Sequence, residues 1–423
     1  MLNKFKNLDH FSKNIILVFV GTSLANFLNL MYQLLIAHKL SASDFAAFNS
    51  LLSIYMLIAA PLGTLQIAVT KYTSEFNAHN QVAKIRFFLS DLFKKSSILA
   101  ISTFLIFWFA SIYIINILKI PSVLSGGILA LLLASTCLAQ VFSGGVQGLE
   151  LFGWLTFASV ITGILKLFLT FIFILLGYNI AGALGALLAS SLIGLAIYFL
   201  PLRRFISTRA ARENINYKEI LIYLFPVAIS NFCFIALVSF DMVLVKFYFS
   251  EGNSGFYSLA QMVGKIFLFL PGAISMVMFP RTSGLNAKNM DTASTLKKSL
   301  FYVSALSICA IFIYNFFSVQ VLTVLTGKAY PESVFLGRLF SISMSFFALL
   351  YIMIAYFLSI KDLRFIKYLV LFTGFQFLGI IFFHKNLIQV QFILCVNAIL
   401  LFSIHLLLAY RKGGKGTVPA IAN

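Results

Sequence analysis

Long apolar runs, broken by short polar stretches, recur along the whole chain. A membrane-crossing helix needs about 20 mostly apolar residues. By that measure twelve segments qualify: 14–38, 45–70, 96–118, 122–147, 152–176, 180–200, 219–248, 255–280, 299–322, 334–359, 363–383 and 387–410. The pattern predicts an all-α polytopic membrane protein of about twelve transmembrane helices. The last two segments are separated only by His384-Lys385-Asn386. The basic stretch MLNKFKNLDHFSKN before the first run resembles the start of a signal peptide. However, Ile15 to Leu35 has the length of a membrane span and no small-residue cleavage site follows, so it reads as a retained helix.

Composition agrees with this reading. Hydrophobic residues make up 61% of the 423 and charged residues 10%, against about 25% charged in soluble domains. A net charge of +19 in a soluble chain would suggest a nucleic-acid partner. Here the basic residues lie between the apolar runs, which is a topology signal, and no nucleic acid is implied. With the N-terminus inside, 23 Lys and Arg fall in inside segments and six outside. The bias predicts a multi-pass protein of the cytoplasmic membrane with both termini cytoplasmic. Within the inside loop 71–95, QVAKIRFFLSDLF reads either as an amphipathic surface helix or as an ordinary solvated loop. Cys137, Cys233, Cys309 and Cys395 each stand alone in apolar runs, without metal or redox spacing. No metal and no cofactor is expected.

RRFISTRAAREN divides the chain near its middle. The expected organisation is an N-terminal six-helix bundle (1–200), a cytoplasmic linker (201–218), a C-terminal six-helix bundle (219–411) and a cytoplasmic tail (412–423). A shift of 209 to 210 residues aligns parts of the halves. Pro61 falls on Pro271, Lys71 on Arg281, and Ala46-Ala47-Phe48-Asn49-Ser50 on Gly255-Phe256-Tyr257-Ser258-Leu259. Lys94-Lys95-Ser96 matches Lys297-Lys298-Ser299 across a shorter loop. Six spans per half give both halves the same orientation, related by a pseudo-twofold along the membrane normal, with a substrate site expected between them. Pro61 and Pro271, about sixteen residues into spans 2 and 8, predict kinks that either aid packing or gate a cavity. Lys71 and Arg281 form an equivalent basic pair at cytoplasmic helix ends.

Three charges sit inside spans, where such residues are rare and usually functional. Lys166 lies near the middle of span 5, Lys265 in span 8 and Asp241 in span 7. A midplane lysine costs about 2.5–3.5 kcal/mol on the insertion scale, and Lys166 is about 15 Å from either surface by helical rise. Two lysines from opposite halves suit an anionic headgroup such as a phosphate or diphosphate. The plainer alternative pairs Lys265 with Asp241 and lets Lys166 snorkel. Asp241 reads as a counter-ion or as the site of a coupling proton or sodium. Tyr32, Tyr55, Tyr248 and Tyr257 read as packing or interface residues, or as sugar-stacking ones.

The stretches LLIAHKLSASDFAAFNSLLSIYMLIAAPLGTLQIAVTKYTSEF, QGLELFGWL and DMVLVKFYFSEGNSGFYSLAQMVGKIFLFLPGAI resemble polysaccharide flippases of the multidrug/oligosaccharidyl-lipid/polysaccharide superfamily. The resemblance implies twelve core helices in two bundles and a central, often cationic cavity. It also implies transport of undecaprenyl-diphosphate-linked glycans, and it maps the family's helix-7 Asp onto Asp241. The chain departs from the family at the first turn, where His38 and Ala46 replace a common Arg and Gly. It has twelve spans where lipid II flippases usually have fourteen. Its first span holds Asn26, Asn29 and Gln33 but not the acid common in drug exporters.

The expected function is therefore translocation of a polyprenyl-diphosphate-linked oligosaccharide between leaflets by alternating access, for surface polysaccharide synthesis. Partners would be the lipid-linked glycan, membrane lipids and a polysaccharide polymerase or assembly machinery. The alternative is a cation-coupled multidrug exporter. An enzyme is not expected, because no long outside loop, nucleotide-binding loop, metal motif or nucleophile–base pair is present. The topology is tested with single cysteines in a cysteine-free background. A cysteine at Lys297 is expected to be shielded from an impermeant maleimide in intact cells and one at Lys119 labelled; the reverse pattern would invert the topology.

Overall fold

The computed structural model describes residues 10–206, 213, 215, 217–268 and 270–413. Fourteen α-helices are described: α1 (His10–Lys39), α2 (Ala42–Ala78), α3 (Val82–Ile117), α4 (Val123–Gly148), α5 (Phe152–Leu175), α6 (Asn179–Ile206), α7 (Tyr217–Tyr248), α8 (Glu251–Phe267), α9 (Leu270–Ala287), α10 (Ala293–Phe316), α11 (Ser318–Thr326), α12 (Pro331–Ser359), α13 (Phe365–Phe382) and α14 (Leu387–Gly413). Among the described residues there is no strand. Hydrocarbon offers backbone groups no partners, so a chain this apolar closes its hydrogen bonds within helices.

All twelve expected segments are helical, and eleven described helices are long and apolar enough to cross a membrane. The difference is span 8, expected as one helix over 255–280. It is two, α8 and α9, with the turn at Leu268, whose N–H bonds Lys265 O. Pro271, which has no N–H to offer the preceding turn and crowds it, lies just after the break. Its repeat partner Pro61 instead stays inside the unbroken α2. Span 9 is likewise divided, at Phe317, into α10 and α11. The stretch QVAKIRFFLSDLF is helical, but as the continuous start of α3. Its apolar side, Ile85, Phe88, Leu89 and Leu92, packs into the protein with Val141, Phe142 and Leu202.

The chain forms two compact units, Met1–Ala228 and Ile229–Asn423. Of the expected linker, residues 201–206 continue α6 and 217–218 begin α7, while 207–212, 214 and 216 lie outside the described residues. So do 1–9 and the tail from 414. The start of α7 packs in the first unit: Ile220 and Leu224 join its core cluster, and the Tyr217 hydroxyl donates to Asp91, which also pairs with Lys95 at 2.8 Å.

In the first unit α4 is central, packed on α2, α3 and α6, while α1 lies on α5. In the second, α12 packs on α8, α9, α10 and α14. Glycines permit the close approaches: a Cβ at Gly144 would meet Gln66 O at 2.9 Å, and one at Gly148 would meet Thr70 O at 2.8 Å.

The repeat is visible in local geometry. Ser41 and Ser250, 209 apart, both cap a helix by accepting from the N–H three residues on. Asn80 and Asn289, also 209 apart, both adopt φ 54° where α2 and α9 end, a conformation asparagine tolerates. They close the matching stretches Asn77-Ala78-His79-Asn80 and Asn286-Ala287-Lys288-Asn289. Positions 32 and 48 in the first unit, and 241 and 257 in the second, make the same contact: Tyr32 meets the Phe48 ring at 6.2 Å, and Asp241 accepts from Tyr257 at 2.7 Å.

Gly144→Ala is expected to lower stability by about 1–3 kcal/mol by overpacking, read as thermal unfolding in detergent. Gly63→Ala, where a Cβ meets nothing within 4 Å, should leave unfolding unchanged or slightly raise it. Equal responses would contradict the packing described.

Candidate functional site

The first unit holds Lys166. Close approach of α1 and α5 puts it in place: a Cβ at Gly163 would come within 2.8 Å of Leu28, and Gly163 lies one turn before the lysine. Lys166 is 8% exposed. Its ammonium donates to Asn29 Oδ1 and stands 4.6 Å from the centre of the Tyr32 ring, a cation–π distance. Tyr32 is itself fixed by its hydroxyl, which donates to Ala183 O at 3.0 Å. The lysine therefore turns into the protein instead of running along α5 to a surface.

Asn29 belongs to a polar face of α1. Thr22, Asn26, Asn29 and Gln33 recur at spacings of four, three and four, the period of one helical side. Asn26 and Asn29 are exposed, Thr22 and Gln33 half-buried. A different side of α1 carries the exposed apolar Val20, Leu24 and Phe27, suited to lipid. An amide facing hydrocarbon without partners costs several kcal/mol, so the polar face belongs against water or a polar ligand.

The second unit holds Asp241 and Lys265. Asp241 has no exposure. It accepts from the Tyr257 hydroxyl at 2.7 Å, and the Gln261 amide nitrogen reaches its two oxygens at 3.0 and 2.9 Å. Tyr257 and Gln261 lie on α8 four residues apart, on one helical side, so α8 clasps α7 at this carboxylate. Lys265, four residues beyond Gln261, is half-buried and attracts Asp241 through space without forming a close ion pair. One turn before Asp241, the Leu237 carbonyl accepts from Gln376 of α13 at 2.7 Å, and Gln376 accepts from Asn397 of α14 at 3.0 Å. Amides thus join α7, α13 and α14 beside the carboxylate.

The structure brings Asp241 and Lys265 together within one unit, while Lys166 belongs to the other. Pro61 is half-buried and Pro271 buried; Lys71 and Arg281 are both exposed. Of the four tyrosines, Tyr32 and Tyr257 are engaged as described. Tyr55 bonds Thr136 at 3.2 Å, and Tyr248 stacks on His384 with ring centres 3.8 Å apart. Sequence reasoning missed Gln261, Gln376 and Asn397. Each is an amide within an apolar run, which is the signal that could have found them.

A family profile described as "Polysaccharide biosynthesis protein" matches residues 11–286. No match was found among curated protein sequences. Among solved structures, the chain is similar to an inward-facing multidrug resistance MATE family transporter of the MOP superfamily. The TM-score is 0.74 at 15% identity, covering 95% of this chain and 100% of that one. It is also similar to the lipid II flippase MurJ in an inward closed conformation, with TM-score 0.72 at 17% identity, covering 94% and 87%. These likenesses show the fold.

The clasp at Asp241 is tested by a double-mutant cycle. Tyr257→Phe and Asp241→Asn should each lower the thermal stability of the purified protein, with a coupling of about 1.5–3 kcal/mol expected for a hydrogen bond to a charged acceptor. Additive losses would mean that the two groups act separately.

Proposed function

This chain belongs to the polysaccharide biosynthesis protein family, and from that premise we propose that it is a flippase carrying a polyprenyl-diphosphate-linked oligosaccharide from the inner to the outer leaflet. The observation that carries the reading is the Lys166 ammonium held against Asn29 on the polar face of α1. A cation kept at mid-depth at a cost of about 2.5–3.5 kcal/mol needs a compensating role. A diphosphate group passing along a polar helix face supplies one, since an ammonium binds phosphate as a point charge. Asn26, Asn29 and Gln33 offer amide donors and acceptors to the sugar hydroxyls that follow.

Lys265 serves the same anionic group from the second half, and Pro61 and Pro271 mark where helices bend as access alternates. The charge bias supports a cytoplasmic-membrane protein with both termini inside. Energy comes from an ion gradient, the membrane potential or consumption of the glycan on the far side, where a polymerase or assembly machinery would receive it.

A second reading, a cation-coupled multidrug exporter, is favoured by one observation: Asp241 is a fully buried carboxylate in the membrane interior. In the flippase reading the same carboxylate takes the coupling ion.

The test is reconstitution into proteoliposomes with a fluorescent polyprenyl-diphosphate oligosaccharide, following exposure to an external reagent. The native protein should speed exchange, and Lys166→Ala and Lys265→Ala at matched protein levels should each slow it at least about tenfold, the loss of one charge-assisted contact. Native-rate exchange in both variants would discard the lysine site and keep the function. Absence of exchange together with proton-driven efflux of a cationic dye would establish the exporter.

A further inference from the structure

A cavity of about 560 Å³ lies wholly within the first unit, where the α4–α5 turn meets the end of α6. It shares no lining residue with Lys166 or its partners, and the transport reading does not use it. Arg203 and Arg204, both exposed, form its polar side. Leu149, Leu200 and Phe205 form its apolar side, and Trp154 of the first turn of α5 stands at its edge.

Three features make this a built recess. Pro201, which also lines it, sits inside α6 and leaves the helix without a backbone donor near its end. The start of α5 borders it through Leu151 and Trp154, and the N-cap residue Leu151 offers no capping side chain. The positive end of that helix dipole therefore adds to the two guanidinium groups. Finally, the mixture of arginine, tryptophan and apolar wall is what a molecule with an anionic head and a hydrocarbon tail requires. Arg binds phosphate oxygens in a fork, Trp prefers the headgroup level, and leucine and phenylalanine take the chain. Glu150, in the same turn, is exposed and does not line the cavity.

We infer that this recess is a binding site for an anionic phospholipid of the surrounding leaflet, which the basic-residue bias makes the cytoplasmic one. The headgroup phosphate sits between Arg203 and Arg204 at the start of α5, and the first part of an acyl chain lies along Leu200 and Phe205. Such a lipid would fasten the α4–α5 turn to the end of α6. The proposal does not depend on what the protein transports.

The protein supplies its own reporter, because it has two tryptophans, Trp108 and Trp154. Trp108 is on α3 and does not line the recess. In a Trp108→Phe variant reconstituted in phosphatidylcholine, emission comes from Trp154 alone. Phosphatidylglycerol brominated on its chains, added as a minor component, should quench it at about one thirtieth of the mole fraction that brominated phosphatidylcholine needs, the preference expected for two basic side chains at a membrane surface. Arg203→Gln with Arg204→Gln should abolish the preference. Lys297→Gln with Lys298→Gln, an equal charge loss at exposed positions of the other unit, should preserve it. Equal quenching by both lipids in the Trp108→Phe protein would overturn the proposal, as would a preference that survives loss of both arginines. If unlabelled polyprenyl diphosphate relieved the quenching at mole fractions equal to phosphatidylglycerol, the recess would be a substrate site and the assignment to bulk lipid would fall. Exchange of the fluorescent oligosaccharide is read on the same samples, so failure here is separable from failure of the flippase reading.

Discussion

Hydrocarbon has no hydrogen bonds to give, and every polar group in the interior of this protein must find its partner within the protein or in whatever it admits. Backbone groups meet that demand by closing into helices. At the sites described, side chains meet it pairwise. Asn29 takes a proton donor from Lys166, and Asp241 takes three contacts from Tyr257 and Gln261. Gln376 reaches both a helix carbonyl and Asn397. Small residues make these meetings possible. Without Gly163 against Leu28, α1 and α5 would stand further apart and the lysine would lose both amide and ring. The polar chemistry of the first unit thus depends on the packing of a glycine one turn away.

The two units answer the same demand differently at matching positions. In the first, positions 32 and 48 hold Tyr and Phe, an edge-to-face ring contact; in the second, positions 241 and 257 hold Asp and Tyr, a charged hydrogen bond. The scaffold contact is common, and the chemistry placed on it differs. The cation of the first unit comes instead from α5, where Lys166 stands over the ring of Tyr32 itself. A half with a buried lysine on its polar helix face and a half with a buried carboxylate thus share one architecture.

The spans were legible because hydropathy over some twenty residues is a direct reading of what lipid accepts. The break in span 8 was not, because a composition window does not register whether the backbone is continuous. Pro271 was noted, yet its twin Pro61 rides inside an intact helix, so proline alone does not decide between kink and stop. Lys166, Lys265 and Asp241 stood out as charges in apolar runs. Which groups they meet did not, since contact depends on helix rotation, and runs that are apolar on every side carry no rotational signal. The first helix is the exception. Its polar face, at spacings of four, three and four, was present in the sequence as a periodicity. The repeat was also more legible than its prolines suggested: Asn77-Ala78-His79-Asn80 and Asn286-Ala287-Lys288-Asn289 share asparagines at an unchanged shift, because a left-handed residue is required at each helix end.

The seventh helix is shared between the two units. Its opening residues, Tyr217, Ile220 and Leu224, are built into the core of the N-terminal unit, while its later residues carry Asp241. A chain that arose by doubling a six-span ancestor should have its seam between the sixth and seventh spans, where the two copies were joined. The boundary between the two compact units lies deeper, between Ala228 and Ile229. Two fragments separated at the polar stretch before α7 would therefore each be misdivided: the first would lack a piece of its own interior, and the second would begin with apolar residues made for another fragment.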